Sequence, residues 1–355
     1  MALLWLDGFE TYGALGASGS ALVAELIRRY PNVYMSDATT TPATEIVDGL
    51  GNGLALQPGR SQYEFHLVAT FATNLTWIIG EAIFVPNDYV TASDIFTIQS
   101  YNGTVQNKLT LAGDLSLRAY RGDASLFLGR SSKSLKRNTW HYLEYKVYCH
   151  DSSGTVDVQL DGENILSLTG VDTLQDATGY LGTIVLRAPR SSSSGNVHGA
   201  IDDLYILDGA AGLSDFLGPV KVETLRPTGD TATINWTTSS GSDHYALVDE
   251  NPVNASDYVY SATANQEDKY TLTNLTYLSS INGVQLGIMA QLDGPGTKQV
   301  YVTCDSNGSI DTGTEVYLAD TTSLHFSRIL ENDPNTSNAW TSSAINALIA
   351  GIKVK

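Results

Sequence analysis

The stretch from Trp140 to Ile165 constrains this chain more than any other. It reads Trp-His-Tyr-Leu-Glu-Tyr-Lys-Val-Tyr-Cys-His, turns through Asp151-Ser-Ser-Gly154, and goes on as Thr-Val-Asp-Val-Gln-Leu-Asp-Gly-Glu-Asn-Ile. Leu143, Tyr145 and Val147 fall on one side of an extended strand, and Tyr142, Glu144, Lys146 and Tyr148 on the other. In the second segment Val156, Val158 and Leu160 alternate with Asp157 and Gln159. A period of two predicts a half-buried antiparallel pair. Asp161-Gly162 suits the tight turn that follows, because glycine accepts positive φ without strain. The apolar side of such a hairpin needs a facing sheet.

The first two hundred residues contain the strands to build one. Leu3 to Phe9, Val33 to Met35, Leu54 to Gln57, Tyr63 to Phe71 and Trp77 to Val85 read as strands. Ile95 to Ser100 and Lys108 to Leu111 flank the turn Tyr101-Asn-Gly103. Leu115 to Tyr120 and Ser125 to Leu128 form the next pair, and Leu181 to Arg187 and Ala200 to Leu207 come after the central hairpin. One short helix is expected over Ala21–Tyr30, capped by Ser18 or Ser20 and stopped by Pro31. At least ten short strands at this spacing predict a sandwich or jelly roll.

Asp208-Gly-Ala-Ala-Gly-Leu-Ser-Asp215 breaks the pattern, which places a domain boundary there: 1–215 and 216–355. The second part opens with Val220 to Leu225, then Pro227-Thr-Gly229, then Thr231 to Thr237. Val259-Tyr260, Asp268 to Leu272, Val284 to Leu292, Lys298 to Cys304 and Glu315 to Leu318 follow as strands. Ala344 to Ala350 is expected as a turn of helix capped by Ser342 or Ser343, and Ile352 to Lys355 as an edge strand. The fold class is all-β, a sandwich followed by a smaller β-domain.

Charge narrows the function. The net charge is −18, and both parts are acidic, with 13 basic and 23 acidic residues before 216 and 7 and 15 after it. Such a surface repels phosphate backbones and anionic membranes, which argues against nucleic acid or membrane as a partner. The start, Met-Ala-Leu-Leu-Trp-Leu-Asp-Gly, lacks a basic region and a long apolar run, so synthesis and folding in a cytoplasm are expected. Cys149 and Cys304 lie too far apart for a disulfide framework or zinc spacing.

Three pieces of the first part resemble the concanavalin A-like lectin/laminin-G sandwich of bacteriophage particle proteins. These are Leu4-Trp-Leu-Asp-Gly-Phe-Glu10, the Trp140 to Gly162 hairpin, and Ile201-Asp-Asp-Leu-Tyr-Ile206. The second part resembles phage minor structural proteins through Gly218-Pro-Val-Lys-Val222, Leu225-Arg-Pro227, Ser242-Asp-His-Tyr245 and Trp340 to Leu348. The resemblance implies a virion protein on tail fibre, tail tip or capsid surface, contacting other virion proteins and assembling as a homo-oligomer, often a trimer. It implies no shared catalytic residues. The expected role is that of a non-enzymatic structural protein, with a tail position favoured and host-surface glycan as a ligand. Capsid decoration and polysaccharide degradation are the alternatives.

Site chemistry was weighed on the same basis. Glycoside hydrolysis needs two carboxylates across the scissile bond. No Glu-x-Asp-x-x-Glu pattern occurs, and Glu144 has no second carboxylate two residues away. The six histidines, His66, His141, His150, His198, His244 and His325, lie outside any nucleophile elbow. Arg121-Gly-Asp123 is accounted for by a hairpin turn. Sugar binding uses exposed aromatic faces beside Asn and Asp side chains. Asn87, Asp88 and Tyr89, and Tyr101 with Asn102, have that chemistry on predicted turns. No cofactor is expected, except that Asp88, Asp94 and the pair Asp202 and Asp203 are oxygen donors suited to Ca²⁺.

Overall fold

The computed structural model describes residues 2–29, 44–57, 65–68, 75–89, 92–100, 102–122, 126–176, 181–189, 199–210, 212–277, 279–319 and 321–355. The chain forms two compact units, Met1–Val222 and Glu223–Lys355. Both are built almost wholly of antiparallel strands, as the sequence periodicity predicts.

The first unit contains β1 (Leu3–Asp7), α1 (Gly19–Arg29), β2 (Glu45–Asp48), β3 (Leu54–Gln57), β4 (Phe65–Val68), β5 (Thr76–Val85), β6 (Ser93–Ser100) and β7 (Val105–Leu111). It continues with β8 (Ser116–Arg121), β9 (Leu126–Ser134), β10 (Thr139–Tyr148), β11 (Gly154–Leu160), β12 (Glu163–Val171), β13 (Leu181–Leu186) and β14 (Ile201–Leu207). An eight-stranded sheet runs β12-β11-β10-β5-β14-β3-β2, with β1 added on β14. A six-stranded sheet runs β4-β13-β6-β7-β8-β9.

The hairpin that dominates the sequence pairs in the expected register: Leu143 opposite Leu160, Tyr145 opposite Val158, Val147 opposite Val156. β5 lies on the other side of β10 and places Trp77, Ile79 and Ile83 on the same apolar face. That face meets Phe96, Ile98, Leu109 and Leu117 of the smaller sheet in one core. Outer strands such as β11 alternate buried and outward side chains, while the central β5 and β14 are buried on nearly every residue, so two sheets bury what neither could bury alone. Leu22 and Leu26 of α1 complete that core.

Residues 216–222 belong with the first unit. Gly218 donates its N–H to Glu144 at 2.9 Å and Val222 donates to Asp203 at 2.7 Å. Lys146 reaches the Ser214 carbonyl and the Asp215 carboxylate. A polar strap thus crosses the outer face of the larger sheet. The expected strand at 33–35, and the ends 63–64 and 69–71 of the one expected over Tyr63 to Phe71, lie outside the described residues.

The second unit contains β15 (Pro227–Ile234), β16 (Thr237–Thr238), β17 (Val259–Tyr260), β18 (Glu267–Leu272), β19 (Val284–Ala290), β20 (Lys298–Ser306), β21 (Ser309–Asp311), β22 (Glu315–Leu318), β23 (Leu324–Leu330), α2 (Ser342–Asn346) and β24 (Ile349–Val354). The main sheet runs β15-β18-β24-β20-β21, with β22 also on β20, and the pairs β16-β17 and β19-β23 stand apart from it. Leu286, Val302, Trp340, Ile345 and Leu348 form its core.

Two expectations change here. The last strand is not an edge: β24 lies between β18 and β20 and pairs with both. Its Val354 is buried, and Ile352 packs against the small cluster of Leu292, Val300 and Leu318. The helix expected over 344–350 stops at Asn346, because Ile349 and Ala350 already belong to β24, and its cap is Thr341, whose hydroxyl accepts the Ala344 N–H. Pro227 to Gly229 opens β15, where the β18 pairing has a register shift that tolerates proline.

Candidate functional site

The turn residues marked by the sequence do not come together as a sugar site. Asn87 and Asp88 are exposed after β5. Tyr89 is fully buried, and its hydroxyl donates to the Leu111 carbonyl. A ring packed inside the sandwich has no face left for a sugar, so Tyr89 is corrected to a core residue. Tyr101 lies outside the described residues. The Asn102 amide shapes its own turn, accepting from the Ser100 hydroxyl at 2.5 Å and the Thr104 N–H at 3.0 Å, and donating to Asp176.

The candidate cation ligands are held in other ways. Asp94 accepts from Thr110 at 2.6 Å and lies 3.5 Å from Lys108. Among the described residues no group of three or more His, Cys, Asp or Glu is placed to hold a metal ion.

Asp202 and Asp203 sit at a bulge where β14 slips against β5, and Asp203 takes a φ of 49°. Both are fully buried. Asp202 accepts the N–H of Leu50 at 3.0 Å and of Asp203 at 2.8 Å. Asp203 accepts from Val222, and its second oxygen lies 3.7 Å from the Lys221 ammonium. Glu10 shares this environment. Burial, and then the Asp202 charge, push its carboxyl up to about 9. Burial and the neighbouring Asp203 push Asp202 up to about 8. Burial also raises Asp203, to about 6, against the pull of Lys221. The cluster therefore holds protons near neutral pH. Its two aspartates fasten the turn at Leu50 and the strap at Val222 to the sheet.

Two more acids serve the same sheet. Glu144 accepts from the Tyr205 hydroxyl as well as from Gly218, and burial raises its carboxyl. Glu81 lies on the core face of β5 with Trp77, Ile79 and Ile83, fully buried, and among the described residues neither of its oxygens has a hydrogen-bond partner. Burial alone raises its carboxyl well above the usual range, since an apolar core disfavours the charged form.

Exposed aromatic chemistry occurs in the second unit instead. Tyr258 and Tyr260 are 50% and 51% exposed, and their ring centroids are 6.0 Å apart. They are two residues apart at β17, where alternation puts them on one face. Thr237 lies opposite Tyr260. The approach is fixed by polar bonds: Tyr258 donates its N–H to Ser239, and the Asn254 amide donates to Asp257 at 2.6 Å. Two open rings beside hydroxyl, amide and carboxylate groups can stack on the C–H face of a sugar and bond its hydroxyl edge. The sequence signal for this is Tyr-Val-Tyr at 258–260 following Asn254, Ser256 and Asp257, a pattern that the turns of the first part do not share.

No family model matches the chain, and no curated protein matches it. Among solved structures it is similar to the alginate lyase Aly36B, with 14% identity, 57% of this chain and 95% of that chain covered, and a TM-score of 0.36. It is similar to the alginate lyase vAL-1 from Chlorella virus, with 11% identity, coverages of 55% and 93%, and a TM-score of 0.35. A SAP-like pentraxin from Limulus polyphemus shares 15% identity over 44% of this chain and 76% of that chain, with a TM-score of 0.31. Alginate lyases are thus among the solved structures similar to this chain, and the expectation of a non-enzymatic protein is corrected to one left open.

Proposed function

We propose that this chain is a phage-particle protein that engages glycan on a host surface through the exposed tyrosines of its second unit. The observation that carries the reading is the Tyr258–Tyr260 pair, two half-exposed rings on one strand face beside fixed polar side chains. The particle setting is supported by the order of phage-like motifs along the sequence. A tail position and a homotrimer belong to the same proposal. Titration of soluble oligosaccharides tests the binding: the wild type binds, and a chain carrying both Tyr258→Ala and Tyr260→Ala loses binding while keeping its melting temperature. Absence of binding to any glycan at millimolar concentration would reject the reading. Gold labelling of intact particles tests the location, with label on the head pointing to capsid decoration instead.

A further inference from the structure

The outer face of the second unit's main sheet carries a row of side chains set by strand register. Tyr301 of β20 lies between Glu315 of β22 and Lys353 of β24. One pair along, Gln299 lies opposite Tyr317, and the N–H of Lys355 bonds the Gln299 carbonyl. Val300 and Val302 alternate with these residues and point to the core. Tyr317 is 63% exposed.

Two clefts open on this face. One, of about 500 Å³, is lined by Asn265, Tyr301, Thr314, Glu315, Lys353 and Lys355. The other, of about 360 Å³, is lined by Ala262, Ala264, Lys298, Gln299, Tyr317 and Lys355. Lys355 is common to both, so they form one groove. The groove begins at Ala262, two residues beyond Tyr260, and two residues of chain span at most about 7 Å. It therefore continues from the tyrosine pair.

The charge of the groove departs from the rest of the unit. Residues 223–355 hold six basic and fifteen acidic side chains. Three of the six line this groove, against one carboxylate, Glu315. Lys355 pairs with Glu315 at 2.7 Å. On the same face Lys269 is engaged by Glu267 at 3.6 Å and Asp305 at 4.0 Å. Lys298 and Lys353 make no ion pair and no side-chain hydrogen bond among the described residues. In a chain with so many acids, two cations left uncommitted in one aromatic groove call for an anionic ligand.

We infer that this groove binds an acidic polysaccharide, a chain of uronate-type sugars, with Tyr301 and Tyr317 stacking on sugar rings and Lys298 and Lys353 pairing with the carboxylates. The inference rests on the reading of the second unit as a glycan-binding surface and names the class of glycan. Nucleic acid would present carboxylate-free phosphates at much higher charge density, which the fifteen acids of the unit repel. A sugar polymer brings fewer charges and the apolar ring faces that tyrosines recognise.

The test is calorimetric titration of the full chain with a uronate hexamer and a neutral glucose hexamer of the same linkage. The uronate is expected to bind about tenfold tighter, and the preference should vanish at about 0.5 M NaCl, where charges are screened within a few ångströms. Replacing Lys298→Gln and Lys353→Gln together should remove the preference and leave neutral binding and the melting temperature unchanged. Equal binding of the two hexamers, or a preference that survives the lysine substitutions, would overturn the inference and leave the glycan reading standing. Failure of both hexamers to bind would overturn the inference and count against the glycan reading as well.

Discussion

His244 Nδ1 lies 2.6 Å from Asp268 Oδ2 in the interior of the second unit. Asp268 is fully buried and also accepts the N–H of Asn235 at 2.7 Å, the N–H of Trp236 at 2.8 Å and the Tyr270 hydroxyl at 3.1 Å. One carboxylate thus ties β18 to the segment that follows β15. An unmet buried donor costs about 1–3 kcal/mol. Asp268→Ala strands several at once and is expected to lower the stability of the second unit by about 3 kcal/mol or more. Urea unfolding followed by Trp fluorescence reads this directly. A loss under about 1 kcal/mol would mean that water or a neighbour replaces the carboxylate.

Gly80 shows a steric constraint of the same severity. A Cβ there would stand 2.1 Å from the Tyr205 ring, across from it on β14. The ring cannot swing aside, because its hydroxyl is held by Glu144 and by the Leu217 N–H. Gly80→Ala is expected to destabilise the first unit by about 1–3 kcal/mol, visible as a lower melting temperature. Thr237→Ala, at an exposed position of the short strand β16, serves as a neutral comparison.

The acid cluster sets a pH dependence. Glu10 and Asp202 have carboxyls raised from 4.5 and 3.8 to about 9 and about 8. Between those limits the folded chain holds protons that the unfolded chain has released. Stability is therefore full below about pH 4 and falls as pH rises towards 9, by at most about 1.4 kcal/mol per pH unit for each proton held. Urea midpoints measured from about pH 5 to about pH 9 should decline. Glu10→Gln should flatten part of the slope, since an amide cannot ionise. A midpoint that rises with pH would contradict this account.

The tyrosine pair carries a prediction separate from stability. Tyr258 and Tyr260 are half exposed, so replacing either by alanine removes little buried area. Glycan affinity is expected to fall by about three- to tenfold for each, the equivalent of one aromatic contact of about 0.5–1.5 kcal/mol. The phenylalanine versions should retain most of the affinity, because the ring face and not the hydroxyl makes the contact.

The sequence revealed strands where the alternation was clean. The β10–β11 register follows from Leu143, Tyr145 and Val147 facing Val156, Val158 and Leu160, and β5 was read to within a residue. It revealed less where alternation and position disagreed. Ile352 to Lys355 looked like an edge because lysines punctuate it and it comes last in the chain. Those lysines alternate outward while Ile352 and Val354 turn inward, a pattern equally natural in a central strand of a one-sided sheet. Tyr89 was expected at a surface because it follows an Asn-Asp turn, yet the chain bends back and buries the ring under Leu111. The adjacent acids at 202 and 203 were visible as a pair. Their bulge was not, since it depends on how β14 slips against β5. Glu81 gave no warning in an otherwise apolar strand, because no local pattern tells which acids the core will enclose without a partner.

The pairing of β1 with β14 has a consequence for the birth of the protein. Among the described residues β1 pairs only with β14, which begins at Ile201, and the N–H of Asp208 closes the seam on the Ala2 carbonyl. Leu3 pairs with Leu207 at the end of that seam and is buried in the folded unit. During synthesis this first strand must wait for nearly the whole unit to emerge, roughly 10–40 s at ordinary elongation rates. Its apolar side chains stay uncovered for that time, and the contact that ends the wait spans almost the full sequence of the unit. A nascent chain of this design folds late and slowly, and its yield in the cell should depend on what shelters the opening residues until the ribosome has finished the closing strand.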